Sequence, residues 1–304
     1  MQSYTNLFSD WLVAKGQQDS KLHAITPAMR EGSGLVRFSD EMPERYHDVG
    51  IAEQHAVTLA AGMARDGLKP VVAIYSTFLQ RAYDQFVHDV AVQELDVTFA
   101  VDRAGIVGAD GATHTGNFDV AFCRCIPGTI MMAPANAEDM YTLLNTAYQY
   151  PGPALVRYPR DSTAQAERVN VDDCIEIGKA LELRQGEKAA LLVFGSLLDI
   201  ALPVADELNL SLVNMRFIKP LDEAMITQMA ANHDYLVTLE DSSVAGGAGS
   251  AVLELLNSKR IEVPLLRLGL DDFFPSQGSR EQILQDYGLD PAALKSSIIE
   301  FTSN

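Results

Sequence analysis

The chain has 304 residues, and 47% of them are hydrophobic, which is enough to build the cores of about two domains. Its formal net charge of −18 argues against sequence-independent binding to nucleic acids and against binding to an anionic membrane surface, because both need a basic face. A small anionic substrate held by a few local arginines remains compatible with this charge.

The sequence pattern shows neither a signal peptide nor a transmembrane segment. Met1–Trp11 has no basic flank followed by an apolar core, and no apolar run is long enough to span a bilayer. The cysteines Cys123, Cys125 and Cys174 lack metal-ligand spacing and are interpreted as packing cysteines of a reducing compartment. We therefore expect a soluble, cytoplasmic protein.

Hydrophobic periodicity predicts alternating strands and helices in the first half of the chain. The predicted elements are a helix over Asn6–Ala14, a loop with Thr26–Pro27 and Gly32–Gly34, a strand over Tyr46–Val49, a helix that opens at Glu53, a strand over Val71–Tyr75, a helix over Thr77–Ala91, a strand over Val97–Val101, a Gly-rich loop over Asp102–Gly111, a strand over Thr129–Pro134, a helix over Ala137–Tyr148 and a strand over Ala154–Tyr158. This order is typical of a parallel sheet with helices on its faces.

A polar stretch without periodicity, residues 166–186, predicts a linker between residues 1–165 and 187–304. The elements predicted after it are a strand over Ala189–Gly195, a helix over Ile200–Leu208, a strand over Leu210–Met215, a helix over Asp222–Ala231, a strand over Tyr235–Glu240 and a helix after Gly246–Ser250. We therefore predict an α/β fold of two domains, each with a mostly parallel sheet covered by helices.

Glu53 lies in the first turn of a helix whose following residues, Ala56–Ala64, are mostly very small. Such a helix suits burial against other backbone, because it combines high helix propensity with little bulk. A carboxylate at a helix start either caps the helix or takes part in chemistry, and the pattern alone favours the cap.

Seven side chains that are suited to binding or catalysis follow three predicted strands. They are Tyr75, Phe78, Arg81, Arg103, Asp110, His114 and Arg160. Ligands of parallel sheets bind beyond the carboxyl ends of the strands, so these loops are expected to share one rim. Arginines suit phosphate or carboxylate, and three of them favour an anion site, although each could instead pair with a nearby surface carboxylate.

Two of these residues allow both a structural and a functional interpretation. His114 lies in a flexible Gly/Thr setting near Asp110, which makes an acid–base role as reasonable as a structural one. Phe78 is explained most simply as the first core residue of its helix, but as the outermost aromatic it could stack on a flat heterocycle.

Two further patterns are interpreted as structural. Gly246–Gly249 lacks the spacing of a dinucleotide-binding loop and is better explained by a tight turn from strand to helix. Asn136 stands 26 residues after Asp110, an arrangement similar to a magnesium–diphosphate signature, but the Gly108–Gly111 turn carries an extra Ala and Asn136 is predicted to cap a helix.

Several stretches resemble the 1-deoxy-D-xylulose-5-phosphate synthase family. They are Asp48–Ala56, Ile74–Gln85, Asp102–Gly111, Val156–Arg160, Met215–Asp222 and Gly246–Ser250. The similarity runs from about Ser3 to the C-terminus. Transketolases and pyruvate dehydrogenase beta subunits share the glutamate at position 53 but not the whole loop over residues 102–111.

The resemblance implies a thiamine diphosphate-dependent transferase. The family condenses pyruvate with D-glyceraldehyde 3-phosphate, with loss of carbon dioxide, to give 1-deoxy-D-xylulose 5-phosphate, which feeds isoprenoid, thiamine and pyridoxal synthesis. By this resemblance Glu53 would hydrogen-bond N1′ of the aminopyrimidine, and Phe78 would stack on that ring. The remaining roles would be substrate binding by Tyr75, Arg81, Arg103 and Arg160, and holding or protonating intermediates by Asp110 and His114.

The resemblance covers the pyrimidine-binding and C-terminal domains of the family but not its first domain. That domain carries the Gly-Asp-Gly…Asn site, so Mg²⁺ and the diphosphate would be bound there, and we expect no metal site in this chain. We interpret the chain as truncated, or as one half of a split enzyme, that is inactive without the diphosphate-binding domain.

Two alternatives remain open for the function of the chain. One is a beta-type subunit of a split transketolase or 2-oxoacid dehydrogenase, and the other is a catalytically silent dimerisation module. We expect a homodimer in every case, because the small-residue helix over Ala56–Ala64 favours close packing of two chains.

Overall fold

The computed structural model describes residues 1–303, in which strands and helices alternate along the chain. The strands are β1 (Gln2–Ser3), β2 (Leu22–Thr26), β3 (Tyr46–Asp48), β4 (Lys69–Tyr75), β5 (Thr98–Asp102), β6 (Ile130–Met132), β7 (Ala154–Arg157), β8 (Ser162–Thr163), β9 (Leu181–Arg184), β10 (Ala189–Phe194), β11 (Ser211–Asn214), β12 (Phe217–Lys219), β13 (Tyr235–Ser243) and β14 (Leu265–Leu270).

The α-helices are α1 (Tyr4–Gln18), α2 (Val36–Glu41), α3 (Glu53–Arg65), α4 (Ser76–Leu79), α5 (Tyr83–Gln85), α6 (Asp119–Cys123), α7 (Ala137–Gln149), α8 (Leu198–Glu207), α9 (Glu223–Asn232), α10 (Ala248–Ser258), α11 (Arg280–Asp286) and α12 (Pro291–Ser303). Short 3₁₀ segments occupy Pro43–Arg45, Gln80–Ala82 and Gly108–Asp110, and Phe86–Ala91 is π-helical. None of the helices within residues 1–303 is long and apolar enough to cross a membrane.

Seven of the described strands form the larger sheet, in the order β12-β6-β7-β5-β4-β2-β3. Neighbouring strands are parallel except at one edge, where β12 runs antiparallel to β6. Helices cover both faces, so successive residues of β4 enter different cores: Val71 and Ala73 join the cluster that contains Trp11, whereas Val72 and Ile74 join the cluster that contains Ala60.

The second main sheet has the order β14-β13-β10-β11-β9 among the described strands. It is parallel apart from β9, which runs antiparallel to β11. Its core combines apolar residues of the strands with residues of α8, α11 and α12. The predicted two-domain α/β architecture with mostly parallel sheets is therefore confirmed.

The structure differs from the sequence prediction at several elements. The segment predicted as one helix over Thr77–Ala91 changes pitch three times, yet the predicted stripe of Ala82, Phe86 and Val90 is fully buried. The strand β2 was missed inside a predicted loop, and β9 lies inside the segment predicted as a linker. The strand β12 comes from the second half of the chain but extends the first sheet, because its backbone pairs with β6.

Candidate active site

The predicted rim exists at the carboxyl ends of β4, β5 and β7, which are neighbours in the sheet. Tyr75 and Asp102 are paired in register at the ends of β4 and β5, and Val101 is paired with Arg157 at the end of β7. The segments that continue from these ends carry all the predicted rim residues. Parallel pairing therefore brings together loops that are up to 85 residues apart in the chain.

Glu53 begins α3, and its side chain is buried, with 3% of the residue exposed. Its Oε1 accepts a hydrogen bond from Nη1 of Arg81 at 2.5 Å, and its Oε2 accepts none from any described residue. The carboxylate makes no hydrogen bond to the first turn of α3. Glu53 is therefore turned towards Arg81 at the rim and does not cap the helix by a hydrogen bond, although its charge lies in the first turn of α3.

Arg81 connects this carboxylate to the aromatic part of the site. Its guanidinium lies 4.9 Å from the ring centroid of Phe78, while the same group is bonded to Glu53. The Arg81 side chain remains 53% exposed. A planar cationic group thus sits between a buried carboxylate and an aromatic face, and it is free to leave towards solvent.

Phe78 is the centre of a small aromatic cluster. It stacks on Tyr75 with a centroid separation of 5.7 Å and an interplanar angle of 11°, and the ring of His114 meets it edge-on at 5.5 Å. Nδ1 of His114 is hydrogen-bonded to the hydroxyl of Thr113 at 2.9 Å. Phe78 is half-buried and packs against the core cluster that contains Ala60, so its position fits the core interpretation as well as a role in stacking.

Arg103 is held in a fixed position beside Tyr75. Its backbone is left-handed (φ 58°), and its Nη1 donates to Oδ2 of Asp102 and to the carbonyl of Gly32, both at 2.7 Å. The guanidinium lies 4.3 Å from the ring centroid of Tyr75. Burial raises the pKa of the Asp102 carboxyl to about 6, although Arg103 opposes this shift.

Arg160 and Asp110 form a separate pair on the outer part of the rim, with Nη1 and Oδ1 2.5 Å apart. Both side chains are partly exposed. Burial raises the pKa of the nearby Tyr75 hydroxyl, and the charges of Asp110 and Arg160 act on it in opposite directions. This pair therefore belongs to the same electrostatic environment as the aromatic cluster.

All three predicted arginines are thus paired with carboxylates, as one of the two sequence interpretations allowed. Two of the three partners, Glu53 and Asp102, are buried rather than surface carboxylates, whereas Asp110 is partly exposed. Sequence reasoning did not assign Asp102 or Gly32 to the site. An acidic residue at the last position of a buried strand was the available signal for Asp102.

The two patterns interpreted as structural are structural in the fold. Asn136 caps α7 by accepting a hydrogen bond from the backbone N–H of Asp139 at 2.9 Å. Gly246 and Gly247 form the turn before α10, and the backbone N–H groups of Ala248 and Gly249 donate to the carboxylate of Glu240 at 2.7 and 2.8 Å. Within residues 1–303, no group of three or more His, Cys, Asp or Glu side chains is placed to hold a metal ion.

Comparison with known proteins identifies both halves of the chain. Residues 1–165 match the family described as the transketolase pyrimidine binding domain, and residues 178–294 match the transketolase C-terminal domain. The boundaries of the predicted linker remain a prediction.

The chain is similar over its length to curated 1-deoxy-D-xylulose-5-phosphate synthases. It is 56% identical to that of Thioalkalivibrio sulfidiphilus over 296 residues, which cover 97% of this chain and 46% of the relative, and 56% identical to that of Stenotrophomonas maltophilia over 299 residues. The chain spans about half the length of the curated relatives it matches.

Solved structures give the same fold. A structure described as a split gene transketolase, inactive beta4 tetramer, superposes with a TM-score of 0.87 at 26% identity and covers 99% of this chain and 98% of its own. A transketolase from Campylobacter jejuni superposes with a TM-score of 0.81 at 16% identity and is matched over 46% of its length.

Proposed function

Because the chain belongs to the transketolase family, we propose that its rim binds the aminopyrimidine half of thiamine diphosphate and serves the synthesis of 1-deoxy-D-xylulose 5-phosphate. The observation that carries the proposal is the buried carboxylate of Glu53, with Oε2 unbonded among the described residues and a half-buried aromatic ring nearby. A carboxylate can share a proton with a ring nitrogen, whereas the amide of the neighbouring Gln54 could not.

The contacts of Arg81 test whether these residues fit the cofactor. A guanidinium and an aminopyrimidine protonated at N1′ are both flat, and both direct an N–H donor in the plane of the group. Arg81 donates from Nη1 to Oε1 of Glu53 at 2.5 Å and lies over Phe78, so the site accepts a flat, positively charged N–H donor. When the pyrimidine binds, Arg81 must withdraw, and its exposed side chain would then be available to a substrate anion at the rim.

Thiamine diphosphate, when bound, supplies a nucleophilic carbon and an electron sink for decarboxylation of a 2-oxo acid. Glu53 would hold the proton at N1′, and its burial strengthens that hydrogen bond because little water competes for it. Phe78 would support the ring by stacking, with Tyr75 fixed behind it.

The substrates proposed from the relatives are pyruvate and D-glyceraldehyde 3-phosphate, which bring a carboxylate and a phosphate. Arg81 and Arg160 would bind these anions by exchanging their present carboxylate partners for the substrate. Arg103 would bind an anion from a fixed position, supported by its bond to Asp102. Asp110 and His114 would hold or protonate the reacting groups.

The diphosphate and Mg²⁺ are proposed to be bound by a Gly-Asp-Gly…Asn domain contributed by the rest of the protein or by a second polypeptide. A second copy of this chain is also a proposed partner. The structural relative described as a beta4 tetramer supports self-association. So does the exposure of one face of α3, which includes Gln54, Thr58 and Gly62.

The proposal is tested by mixing the chain with a separately expressed diphosphate-binding domain and assaying for 1-deoxy-D-xylulose 5-phosphate. The mixture is expected to be active, and Glu53→Gln is expected to lower kcat by about 100-fold or more, in the range found for general acid–base groups. Glu138→Gln is the matched control, because it makes the same substitution at an exposed carboxylate in the first turn of another helix, α7. Equal activity of wild type and Glu53→Gln would refute the assigned role.

The similarity to a split transketolase over nearly the whole of both chains favours a second candidate function, a transketolase beta subunit. The same mixture distinguishes the two when a ketose phosphate donor replaces pyruvate. Turnover with the ketose phosphate and none with pyruvate would favour the transketolase function, and no turnover with either would favour a silent dimerisation module.

A further inference from the structure

The loop that carries Arg103, Asp110 and His114, residues 103–117, is here named the site loop. It is anchored in the C-terminal domain by an apolar side chain. Ile106 is 3% exposed and lies in a hydrophobic cluster with Leu197 and Leu239, whose buried members otherwise come from the second half of the chain apart from Ala135. A loop that inserts a side chain into the core of another domain depends on that domain for its position.

The base of the site loop rests directly on Asp241 at the end of β13. Gly105 and Gly116 exchange two backbone hydrogen bonds of 2.9 Å, which close the loop. A Cβ added to Gly105 would lie 2.5 Å from the carbonyl oxygen of Asp241 and 2.7 Å from its Cγ, and φ is +68°. Only glycine fits this approach without a shift. The N–H of Ser243 also donates to the carbonyl of Asn117 at 2.8 Å.

Asp241 is itself fixed by a buried ion triad that crosses the domain interface. Arg157 donates from Nε to Oδ2 of Asp119 at 2.8 Å and from Nη1 to Oδ1 of Asp241, and the three side chains are at most 5% exposed. Asp119 lies two residues after the site loop, and Arg157 ends β7, the strand that leads to Arg160. The triad therefore joins both flanks of the rim to one residue of the C-terminal domain.

A second contact holds the tip of the site loop. Nε2 of Gln277 donates to the carbonyl of Ala109 at 2.8 Å, next to Asp110. Nearby, Nε of Arg280 lies 3.1 Å from Oδ2 of Asp161, the residue that follows Arg160 in the chain. The C-terminal domain thus contacts the site loop at its base, along its length and at its tip.

We propose that Asp241 and Gln277 are positioning residues by which the C-terminal domain sets the geometry of Asp110 and His114. The inference rests on the proposed function in so far as the site loop serves a substrate. Neither residue has a described contact with Glu53 or Phe78, and the site loop reaches the aromatic cluster through His114, which meets Phe78 edge-on, and Arg103, which lies over Tyr75.

Hydrogen–deuterium exchange of the 304-residue chain tests this inference without any cofactor. Asp241→Asn removes one charge of the triad and is expected to speed exchange in peptides covering residues 103–117 by about tenfold or more, because the closing hydrogen bonds of Gly105 and Gly116 open more often. Arg216→Gln is the matched control. Arg216 also bridges the domains, from Nε to the buried Asp139 at 2.9 Å, but has no contact with the site loop.

Faster exchange in the site loop for Asp241→Asn but not for Arg216→Gln supports the inference. Unchanged exchange, or an equal change in both variants, overturns it. If Asp241→Asn does not fold, Gln277→Ala decides, because Gln277 is exposed and its loss should release residues 108–111 alone. Unchanged exchange there overturns the inference.

A kinetic readout in the reconstituted mixture separates positioning from general stability. Asp241→Asn is expected to lower kcat at least severalfold and to change the thiamine affinity of the chain by a smaller factor, because the bond between Glu53 and Arg81 lies outside the site loop. A loosened fold would weaken both equally. If the wild-type mixture makes no product, the proposed function fails, but the exchange experiment still decides the role of Asp241.

Discussion

The three rim arginines differ in how tightly the fold holds them. Side-chain exposure is 53% for Arg81, 43% for Arg160 and 12% for Arg103. Exposed ion pairs contribute little to stability, about 0–1 kcal/mol, and exchange partners readily. Arg81 and Arg160 are therefore suited to move when a ligand arrives, whereas Arg103 is suited to shape the pocket around Tyr75.

This difference predicts the behaviour of Arg81→Met. The substitution removes the group that competes for Glu53 and Phe78, so thiamine should bind the chain about fivefold more tightly. This factor corresponds to about 1 kcal/mol for an ion pair whose guanidinium is half exposed to water. Titration calorimetry with thiamine measures this affinity. The mixture with the diphosphate-binding domain should nevertheless lose activity, because Arg81 is proposed to bind substrate.

Arg160→Met serves as the control for this measurement. Arg160 pairs with Asp110 and has no contact with Glu53, so thiamine affinity should not change in that variant. Weaker thiamine binding by Arg81→Met than by wild type would show that Arg81 belongs to the pyrimidine site rather than blocking it.

At the same scale, the sequence indicated which residues share the rim better than it indicated their partners. Glu53 was identifiable because a carboxylate precedes a run of very small residues. The bond between Arg103 and Asp102 was not, because it depends on the left-handed backbone of Arg103, which turns the guanidinium back over Tyr75. Residue-type patterns carry no information about such a local reversal.

Among the elements, the helix α10 has a carboxylate of the same chain, that of Glu240, at its N-terminus. Both oxygens of the Glu240 carboxylate accept backbone N–H groups, from Ala248 and Gly249, and Ser242 bonds to the same carboxylate. A helix N-terminus favours negative charge, so Glu240 occupies the position that an external phosphate would otherwise find attractive. This internal bond explains why the Gly246–Gly249 turn needs no ligand.

The raised pKa of Glu240 predicts that the stability of the fold depends on pH. Its burial raises the pKa to about 7, against an ordinary value of 4.5 in the unfolded chain. Between these values the native state binds more protons than the unfolded state, so the free energy of unfolding falls as the pH rises from about 4.5 to 7. The slope from one group is at most about 1.4 kcal/mol per pH unit. Urea denaturation at several pH values measures it.

Two variants isolate this contribution. Glu240→Gln is expected to flatten the slope and to destabilise the fold at pH 5 by about 1–3 kcal/mol, because its amide nitrogen faces a backbone N–H. Glu254→Gln, on the same helix, should leave the slope unchanged between pH 5 and 7, since Arg124 holds the pKa of Glu254 below its ordinary value. An unchanged slope in Glu240→Gln would contradict the assignment.

A strand or helix was predictable where its own residues form a recognisable hydrophobic pattern. The buried strands β4, β5 and β10 stand out as continuous apolar runs, and α7 was predicted to within one residue at its end. The strands β2, β9 and β12 were missed because none of them is a continuous apolar run: β2 contains His23, β9 alternates leucine with charged residues, and β12 ends in Lys219. Pairing of β12 with β6, in particular, is a property of the assembled domains rather than of Phe217–Lys219.

At the scale of the whole molecule, the two domains are joined by buried polar contacts as well as by packing. The triad around Arg157 lies on one side of the interface, and on another Asp139 accepts from Arg216 and from Asn214. Breaking one member of such a cluster leaves a buried charge unpaired, which is costly. These contacts therefore fix the relative placement of the domains, and with it the position of the rim loops that touch the C-terminal domain.

Association of two copies is the remaining prediction at this scale. Gly62 lies on the exposed face of α3, and a Cβ added there would meet no atom within 4 Å. Within one chain, Gly62→Arg should therefore stabilise the helix by about 1 kcal/mol, because glycine is a poor helix former. If a second copy packs closely against α3, the same substitution should instead disrupt the dimer.

Sedimentation velocity at several concentrations distinguishes the two outcomes for Gly62→Arg. We expect the wild-type chain to sediment as a dimer or larger assembly and the variant to sediment as a smaller species with an equal or higher melting temperature. Asn257→Arg, at an exposed position of α10, adds the same side chain on the other domain and should leave the assembly intact. An unchanged oligomer in Gly62→Arg would exclude α3 as the contact, because no close helix packing accommodates an arginine in place of a glycine.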